Sequence, residues 1–353
     1  MRKAVKIGFI GVFCAVIGLA FPVFNIFSKQ LSMDSHENRL MTGLPQVLQS
    51  PLRELPRNLD NFLVDNSPFR YQFVLVNAGL DYALFGTSQS DQVLPGKDGW
   101  LFYKDGPNAA QPMANYQGLA ELNDSADTLA EASAGLQILS DKLAENGCTL
   151  VLDLTPSKDR IYREYMPDGY PIVNEENRTD LLTAYLQSHT TVPVVWRYDM
   201  LRSQARQNAD RLLYYKTDTH WNAVGALIGL DGIFEALDMP TRPADSYPVE
   251  ADGTTTGDMA NVAALYDSLP AEETYVVPGY DRMFEKDSRT VRVIGDSFSE
   301  YYMPYLQARF TNSWREHIDT FTTDVAEHPG CDILILEFNE RSLDKLLAIL
   351  EQF

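Results

Sequence analysis

From residue 125 onward two hydrophobic rhythms alternate along the chain. Leu129, Ala132, Leu136, Leu139 and Leu143 recur at three- and four-residue steps before Asn146-Gly147, which predicts a helix with a glycine stop. The mostly apolar run Thr149 to Leu154 follows and ends at Pro156, which predicts a buried strand. Helices are expected over Asn177–His189, from near Asp199, and over Asn222–Leu237, with a strand over Val192–Trp196. A polar, glycine- and proline-containing loop covers 239–258. Strand Val291–Ile294 then meets Gly295, and a helix starts near Ser299. Strands Ile318–Phe321 and Ile333–Phe338 and a last helix from Ser342 complete the pattern. Strands alternating with helices, the strands continuously apolar, predict an α/β domain with a parallel sheet covered on both faces.

Residues 29–118 lack this alternation. Polar loops, prolines and short apolar pieces such as Phe73-Val74-Leu75-Val76 predict a stalk and entry region packed on a main domain of 119–353. Ahead of it, Arg2, Lys3 and Lys6 precede an uncharged run from Ile7 to Phe27, enough helix to cross about 30 Å of hydrocarbon. The run passes through Phe24, Ile26 and Phe27 with no small-x-small cleavage site, and the next charge is Lys29. Residues 1–28 are therefore expected to be an uncleaved transmembrane signal anchor in the cell membrane. Its positive flank is expected to stay in the cytoplasm and everything after residue 28 to lie on the extracytoplasmic side.

The chain has 353 residues with 29 Lys and Arg against 49 Asp and Glu, a formal charge of −20, and no visible basic patch, which argues against nucleic acid as a partner. Cys14, Cys148 and Cys331 show no CxxC pair and no zinc spacing, leaving at most one Cys148–Cys331 bridge. The five histidines are dispersed, with no HExxH helix and no glycine-rich phosphate loop, so neither a metal nor a cofactor is expected.

Two short segments carry candidate chemistry. Gly295-Asp296-Ser297-Phe298-Ser299 lies where a strand turns into a helix, so Ser297 is placed to attack and helix N–H groups could stabilise an oxyanion. The competing reading is that Asp296 or Ser297 only caps the helix. Among His36, His189, His220, His317 and His328, one has a carboxylate in a suggestive place, in Thr217-Asp218-Thr219-His220-Trp221-Asn222. Residues two apart in an extended stretch share a side, so Asp218 could orient His220 while His220 takes the Ser297 proton. Here the competing reading makes Thr217 or Asp218 a cap for the helix that follows. Tyr301 and Tyr302, one turn past the serine, could line a sugar site or simply fill the core.

These two segments, in this order, resemble the SGNH-hydrolase-like domain of the alginate O-acetyltransferases AlgJ and AlgX and the related DHHW proteins. Glu37-Asn38-Arg39, Asn66-Ser67-Pro68-Phe69-Arg70, Gly96-Lys97-Asp98-Gly99-Trp100-Leu101-Phe102 and Pro156-Ser157-Lys158 with Ile161-Tyr162 agree with it. The resemblance implies an SGNH-hydrolase-like three-layer sandwich with Ser297 as nucleophile, His220 as base and Asp218 as orienting acid. Thr219 stands where the DHHW name implies a histidine. Trp221, Lys158, Asn339 and Arg341 join Tyr301 and Tyr302 as candidate substrate contacts, Asn339 and Arg341 as possible oxyanion donors. The resemblance further implies transfer of acetyl to a polysaccharide, with a polytopic membrane-bound O-acyltransferase as donor. A carbohydrate esterase and a non-catalytic polysaccharide-binding assembly protein are the alternatives. A C-terminal carbohydrate module of the AlgX kind is not expected, because the chain ends soon after its last helix. A loop or small insertion over the site is expected within 239–290, where Gly257-Asp258-Met259-Ala260 resembles a short family motif.

Overall fold

Four of the apolar runs become neighbouring parallel strands, and a fifth, more polar strand closes one edge. The structure, a computed structural model, describes residues 2–27, 41–105, 111–122, 125–208 and 211–353. His36 and the Glu37-Asn38-Arg39 segment lie outside the described residues.

The chain divides into two units, residues 1–89 with 261–268, and residues 90–260 with 269–353. The first contains α1 (Arg2–Phe27), α2 (Leu44–Leu48), α3 (Leu55–Asp65) and α4 (Arg70–Phe85). Phe73-Val74-Leu75-Val76, an apolar piece in a region expected to be irregular, is the second turn of the 16-residue α4. Gly86, at φ 63°, stops that helix in the left-handed conformation glycine adopts without strain. The four-residue apolar run has no helical period, so its helix was hidden. Counting only residues described with their side chains, no helix is long and apolar enough to cross a membrane.

The second unit starts with the hairpin β1 (Val93–Pro95) and β2 (Leu101–Tyr103), then α5 (Pro112–Gln117), α6 (Ser125–Glu145) and β3 (Thr149–Thr155). Next come α7 (Lys158–Ile161), α8 (Arg178–His189), β4 (Val194–Trp196), α9 (Tyr198–Gln207) and α10 (Ala223–Ala236). Strands β5 (Glu250–Thr255) and β6 (Glu272–Val276) pair antiparallel, with α11 (Asp258–Val262) between them in sequence. The chain ends with β7 (Asp287–Gly295), α12 (Phe298–Arg309), β8 (Phe310–His317), α13 (Asp324–Glu327), β9 (Ile333–Asn339) and α14 (Leu343–Leu350).

The main sheet has the order β4-β3-β9-β7-β8, all parallel. Alternation along its strands builds two cores. Val151, Val291, Val293, Ile333 and Ile335 face a core shared with α10 and α12. Leu150, Leu152, Leu154, Leu334, Leu336 and Phe338 face the other, shared with α6, α8 and α14. This is the three-layer arrangement expected, with both faces of the sheet covered. The strand expected over Ile318–Phe321 is a correction: it lies one segment earlier, as β8, and Ile318–Thr320 is a 3-10 turn. Among the described residues strand β8 pairs only with β7, so it tolerates the polar sequence Phe310-Thr-Asn-Ser-Trp-Arg-Glu-His317, which has no apolar run to read. Cys148 and Cys331 are free buried thiols with sulfurs 3.7 Å apart, just before β3 and β9.

Candidate active site

Strand β7 ends at Gly295, and Ser297 stands at the N-terminus of α12 on the carboxyl edge of the sheet. Asp296 and Ser297 divide the two readings of this segment between them. Asp296 is the cap: its Oδ1 accepts the Phe298 N–H at 2.9 Å, and its Oδ2 accepts the Asn339 N–H at 3.0 Å and the Ser342 hydroxyl at 3.3 Å. From β8, Arg315 donates to the Asp296 carbonyl at 2.8 Å and to the Ser299 hydroxyl at 2.7 Å. The Ser297 side chain turns toward His220 instead.

Beneath this elbow lie two wholly buried acids, Asp153 of β3 and Glu337 of β9. A Cβ on Gly295 would come within 2.7 Å of Glu337 Oε2, so only glycine lets β7 pass over that carboxyl. Burial raises the Glu337 pKa far above the carboxylate range, reinforced by Asp296 and Asp153. Burial likewise pushes Asp153 up to about 8; Arg197 opposes the rise and Asp296 adds to it. Both are held as neutral acids at neutral pH.

The His220 segment belongs to no strand of the main sheet. It runs from the isolated bridge Tyr214–Trp221 into α10, whose cap is Asn222 itself: Asn222 Oδ1 accepts from Val224 N at 2.9 Å and Gly225 N at 3.1 Å. Thr217 and Asp218 are thus free of the capping role. His220 Nδ1 donates to Asp218 Oδ1 at 2.6 Å, and His220 Nε2 accepts from Ser297 Oγ at 2.6 Å, with the tautomer assigned from these partners. Burial by itself would raise the Asp218 pKa. The hydrogen bond and charge of His220, with the Asp258 and His220 backbone N–H groups, outweigh it and lower the value to about 2.

Three groups hold this loop in place. Lys158 is buried, and its ammonium donates to the carbonyls of Tyr215 at 3.0 Å, Lys216 at 2.9 Å and Asp218 at 2.5 Å. It also lies over the rings of Trp100 and Phe102, at 5.7 and 5.5 Å. Burial lowers its pKa to about 7 against the opposing pull of Asp218, Glu272 and Asp258. Glu272 of β6 accepts the backbone N–H groups of Lys216 at 2.5 Å and Thr217 at 2.7 Å, and also the Thr217 hydroxyl. Asp258 accepts the Thr219 N–H at 2.7 Å and hydroxyl at 2.6 Å.

The six candidate substrate contacts separate into two groups. Trp221, Tyr302 and Asn339 are wholly buried, which corrects the expectation that they touch substrate. Trp221 packs against Phe298 and Tyr302 and donates its indole N–H to the Phe298 carbonyl at 2.9 Å. The Asn339 amide donates to the Thr155 carbonyl at 3.0 Å, so it offers nothing to an oxyanion. Lys158 lines a small recess with Tyr103, Asp159, Thr219, Phe298 and Arg341, but its donors are engaged in the loop. Arg341 remains available: its guanidinium lies over Tyr103 at 5.1 Å and Phe298 at 5.4 Å, with no hydrogen bond or ion pair among the described residues. Tyr301 stacks on the His220 ring at 5.1 Å.

Glu272, Asp258, Arg315, Asp153 and Glu337 escaped the sequence reading. Only Asp258 carried a signal, in Gly257-Asp258. Among the described residues, donor atoms of Asp218, His220 and Asp258 fall within 4.8 Å of one another, the spacing a cation would need. Both ring nitrogens of His220 are already engaged by Asp218 and Ser297, which makes the arrangement one for moving a proton.

A parallel sheet carrying a serine on its carboxyl-edge elbow, with histidine and aspartate supplied by a separate loop, defines a serine-based α/β site of the SGNH-hydrolase-like class. The family model described as the SGNH hydrolase-like domain of acetyltransferase AlgX matches residues 93–318, more than half of the chain, and the chain belongs to that family. Among curated relatives, the probable alginate O-acetylase AlgJ of Pseudomonas putida is 25% identical over 227 residues, covering 62% of this chain and 53% of that protein. AlgJ of Pseudomonas syringae pv. tomato is 25% identical over 320 residues, covering 85% and 74%. The chain thus spans about half the length of the first and three quarters of the second. Of solved structures, the O-acetyltransferase domain of Pseudomonas putida AlgJ aligns at 20% identity and TM-score 0.49, covering 74% of this chain and 98% of that one. Bacillus cereus PatB1 aligns at 13% identity and TM-score 0.48, covering 72% and 98%. The family assignment rests on the family model alone.

Proposed function

We propose that this protein is an extracytoplasmic polysaccharide O-acetyltransferase that works through a serine acyl-enzyme. The observation that carries the reading is the unbroken chain Asp218 Oδ1, His220 Nδ1, His220 Nε2, Ser297 Oγ, with both links at 2.6 Å. Family membership supplies the chemistry, acetyl transfer, and the AlgJ relatives supply the kind of acceptor.

In this mechanism Ser297 Oγ attacks the acetyl carbonyl while His220 Nε2 takes the hydroxyl proton, and Asp218 stabilises the resulting imidazolium. The tetrahedral intermediate collapses, the donor's oxygen or sulfur leaves with the proton from His220, and Ser297 carries the acetyl ester. A sugar hydroxyl then gives its proton to His220 and attacks that ester; collapse returns the proton to Ser297 and leaves the acetyl on the sugar. In this reading the Ser297 N–H, at the start of α12, is the oxyanion donor in both steps. Arg341 and Tyr301 are the side chains we assign to the acceptor. The apolar segment Ile7–Phe27 serves as the membrane anchor, and a polytopic O-acyltransferase supplies acetyl from the cytoplasmic side.

Intact mass of the protein with an activated acetyl ester tests this reading. Wild type should gain one acetyl, Ser297→Ala none, and sugar oligomers should discharge the adduct faster than water. Equal discharge by water would make the protein an esterase. Labelling that survives Ser297→Ala would sink the mechanism.

A further inference from the structure

The segment Gly257-Asp258-Met259-Ala260, which the reaction above does not use, is clamped onto the loop that carries the base. Gly257 N donates to Thr217 Oγ1 at 3.2 Å, Asp258 N to Asp218 Oδ2 at 2.9 Å, and Ala260 N to the Thr217 carbonyl at 3.1 Å. A Cβ on Gly257 would sit 2.1 Å from the Thr217 carbonyl carbon, so this approach requires glycine. The backbone of the segment thus fixes the second oxygen of the Asp218 carboxylate.

Its side chain acts on the other partner. Asp258 Oδ2 lies 3.9 Å from His220 Nδ1, a second carboxylate beside the imidazole. The Thr219 hydroxyl donates to Asp258 Oδ2 at 2.6 Å, which turns a lone pair of Thr219 Oγ1 toward His220 Nδ1, 3.2 Å away. Two acceptors, Asp218 Oδ1 and Thr219 Oγ1, therefore converge on the Nδ1 proton, and Asp258 sets the direction of the second.

We propose that Asp258 is a positioning residue for the acid–base pair: it holds the proton of His220 on Nδ1, leaves Nε2 free to accept from Ser297, and shares in stabilising the imidazolium. The role rests on the proposed use of His220 as base. Other charged or titratable groups facing this loop are Lys158 and Asp159 from α7, Glu272 from β6, Tyr301 from α12, Arg341 in the recess beside Thr219, and Tyr215 and Lys216 of the loop itself.

Asparagine offers one oxygen where Asp258 offers two, so in Asp258→Asn the Thr219 hydroxyl loses its acceptor and is free to turn its own proton toward His220 Nδ1, which favours the tautomer protonated on Nε2. The test is nitrogen-15 NMR of the histidine rings in the full chain in detergent micelles, with His220→Gln to identify the resonances. Wild type should show the His220 proton on Nδ1, and Asp258→Asn should shift a readable fraction of it to Nε2. Ser297 acetylation should slow in step with that fraction, and Asp258→Glu should restore both. A His220 tautomer ratio unchanged in Asp258→Asn, with only thermal stability reduced, would overturn the proposal. Should wild type fail to acetylate, the mechanism above falls, while the tautomer ratio still decides the role of Asp258.

Discussion

The two halves of the site are held by opposite means. Ser297 sits on an elbow that continues a sheet strand and rests on neutral buried acids, Glu337 and Asp153. His220 sits on a loop off the main sheet, held by side chains from distant parts of the chain that hydrogen-bond its backbone: Lys158, Glu272 and Asp258. A nucleophile must stay in one place, and a strand-to-helix turn does this as part of the sheet, with Asn339, Ser342 and Arg315 bonded to its backbone and to Asp296. The base must alternate between neutral and cationic forms, and a surround of fixed hydrogen bonds lets it do so with little rearrangement.

The contrast can be tested first where the effect is largest. Asp218→Asn should leave the fold intact and lower the rate of Ser297 acetylation by about 10³ to 10⁴, the scale of losing the orienting acid, as read by intact-mass kinetics. Next, Lys158→Met should slow acetylation and also destabilise the protein. It strands the carbonyls of Tyr215 and Asp218, while that of Lys216 keeps the Leu101 N–H, and each buried orphan costs about 1–3 kcal/mol. A Lys158→Met protein with wild-type melting and rate would show that the loop needs no clamp.

The pH dependence of stability should separate the halves further. Asp218 is depressed, so its contribution is complete above its ordinary 3.8 and is lost as pH falls through about 2. Asp153 is raised, so its contribution is complete below 3.8 and is lost as pH rises through about 8. Denaturant titrations should therefore show that Asp218→Asn removes part of the loss below pH 3.8, and Asp153→Asn part of the decline as pH rises from 3.8 to about 8. An exchange of those two effects would break the comparison. The smallest change in rate is expected for Trp221→Phe, which forfeits one hydrogen bond and leaves a cavity against Gly229, costing about 2–4 kcal/mol in melting experiments with acetylation little altered.

Much of the nucleophile half was legible because its determinants are contiguous. The run Val291–Ile294, Gly295 and the helix after it predict a strand-turn-helix by local pattern. Asp218 and His220 were legible as a pair two residues apart, though not their surroundings. The acids under the elbow were not, because Asp153 and Glu337 interrupt apolar strands and appear as defects until β3 and β9 pair. Tyr302 and Trp221 show the reverse error: an aromatic beside a reactive residue looks like a ligand wall, and packing from α10 and α12 makes it core. β8 escaped because an edge strand need not be apolar.

The sequence by itself determined the alternation of strands and helices, the family, and the two short segments, Asp218–His220 and Gly295–Ser297, that meet at the candidate site, since each segment depends on residues near one another in the chain. Tertiary structure decided which charges surround them. Lys158, Glu272 and Asp258 come from three separate segments, and long-range folding alone brings them to within hydrogen-bond distance of the Tyr215–His220 loop, where burial gives a single charge its effect.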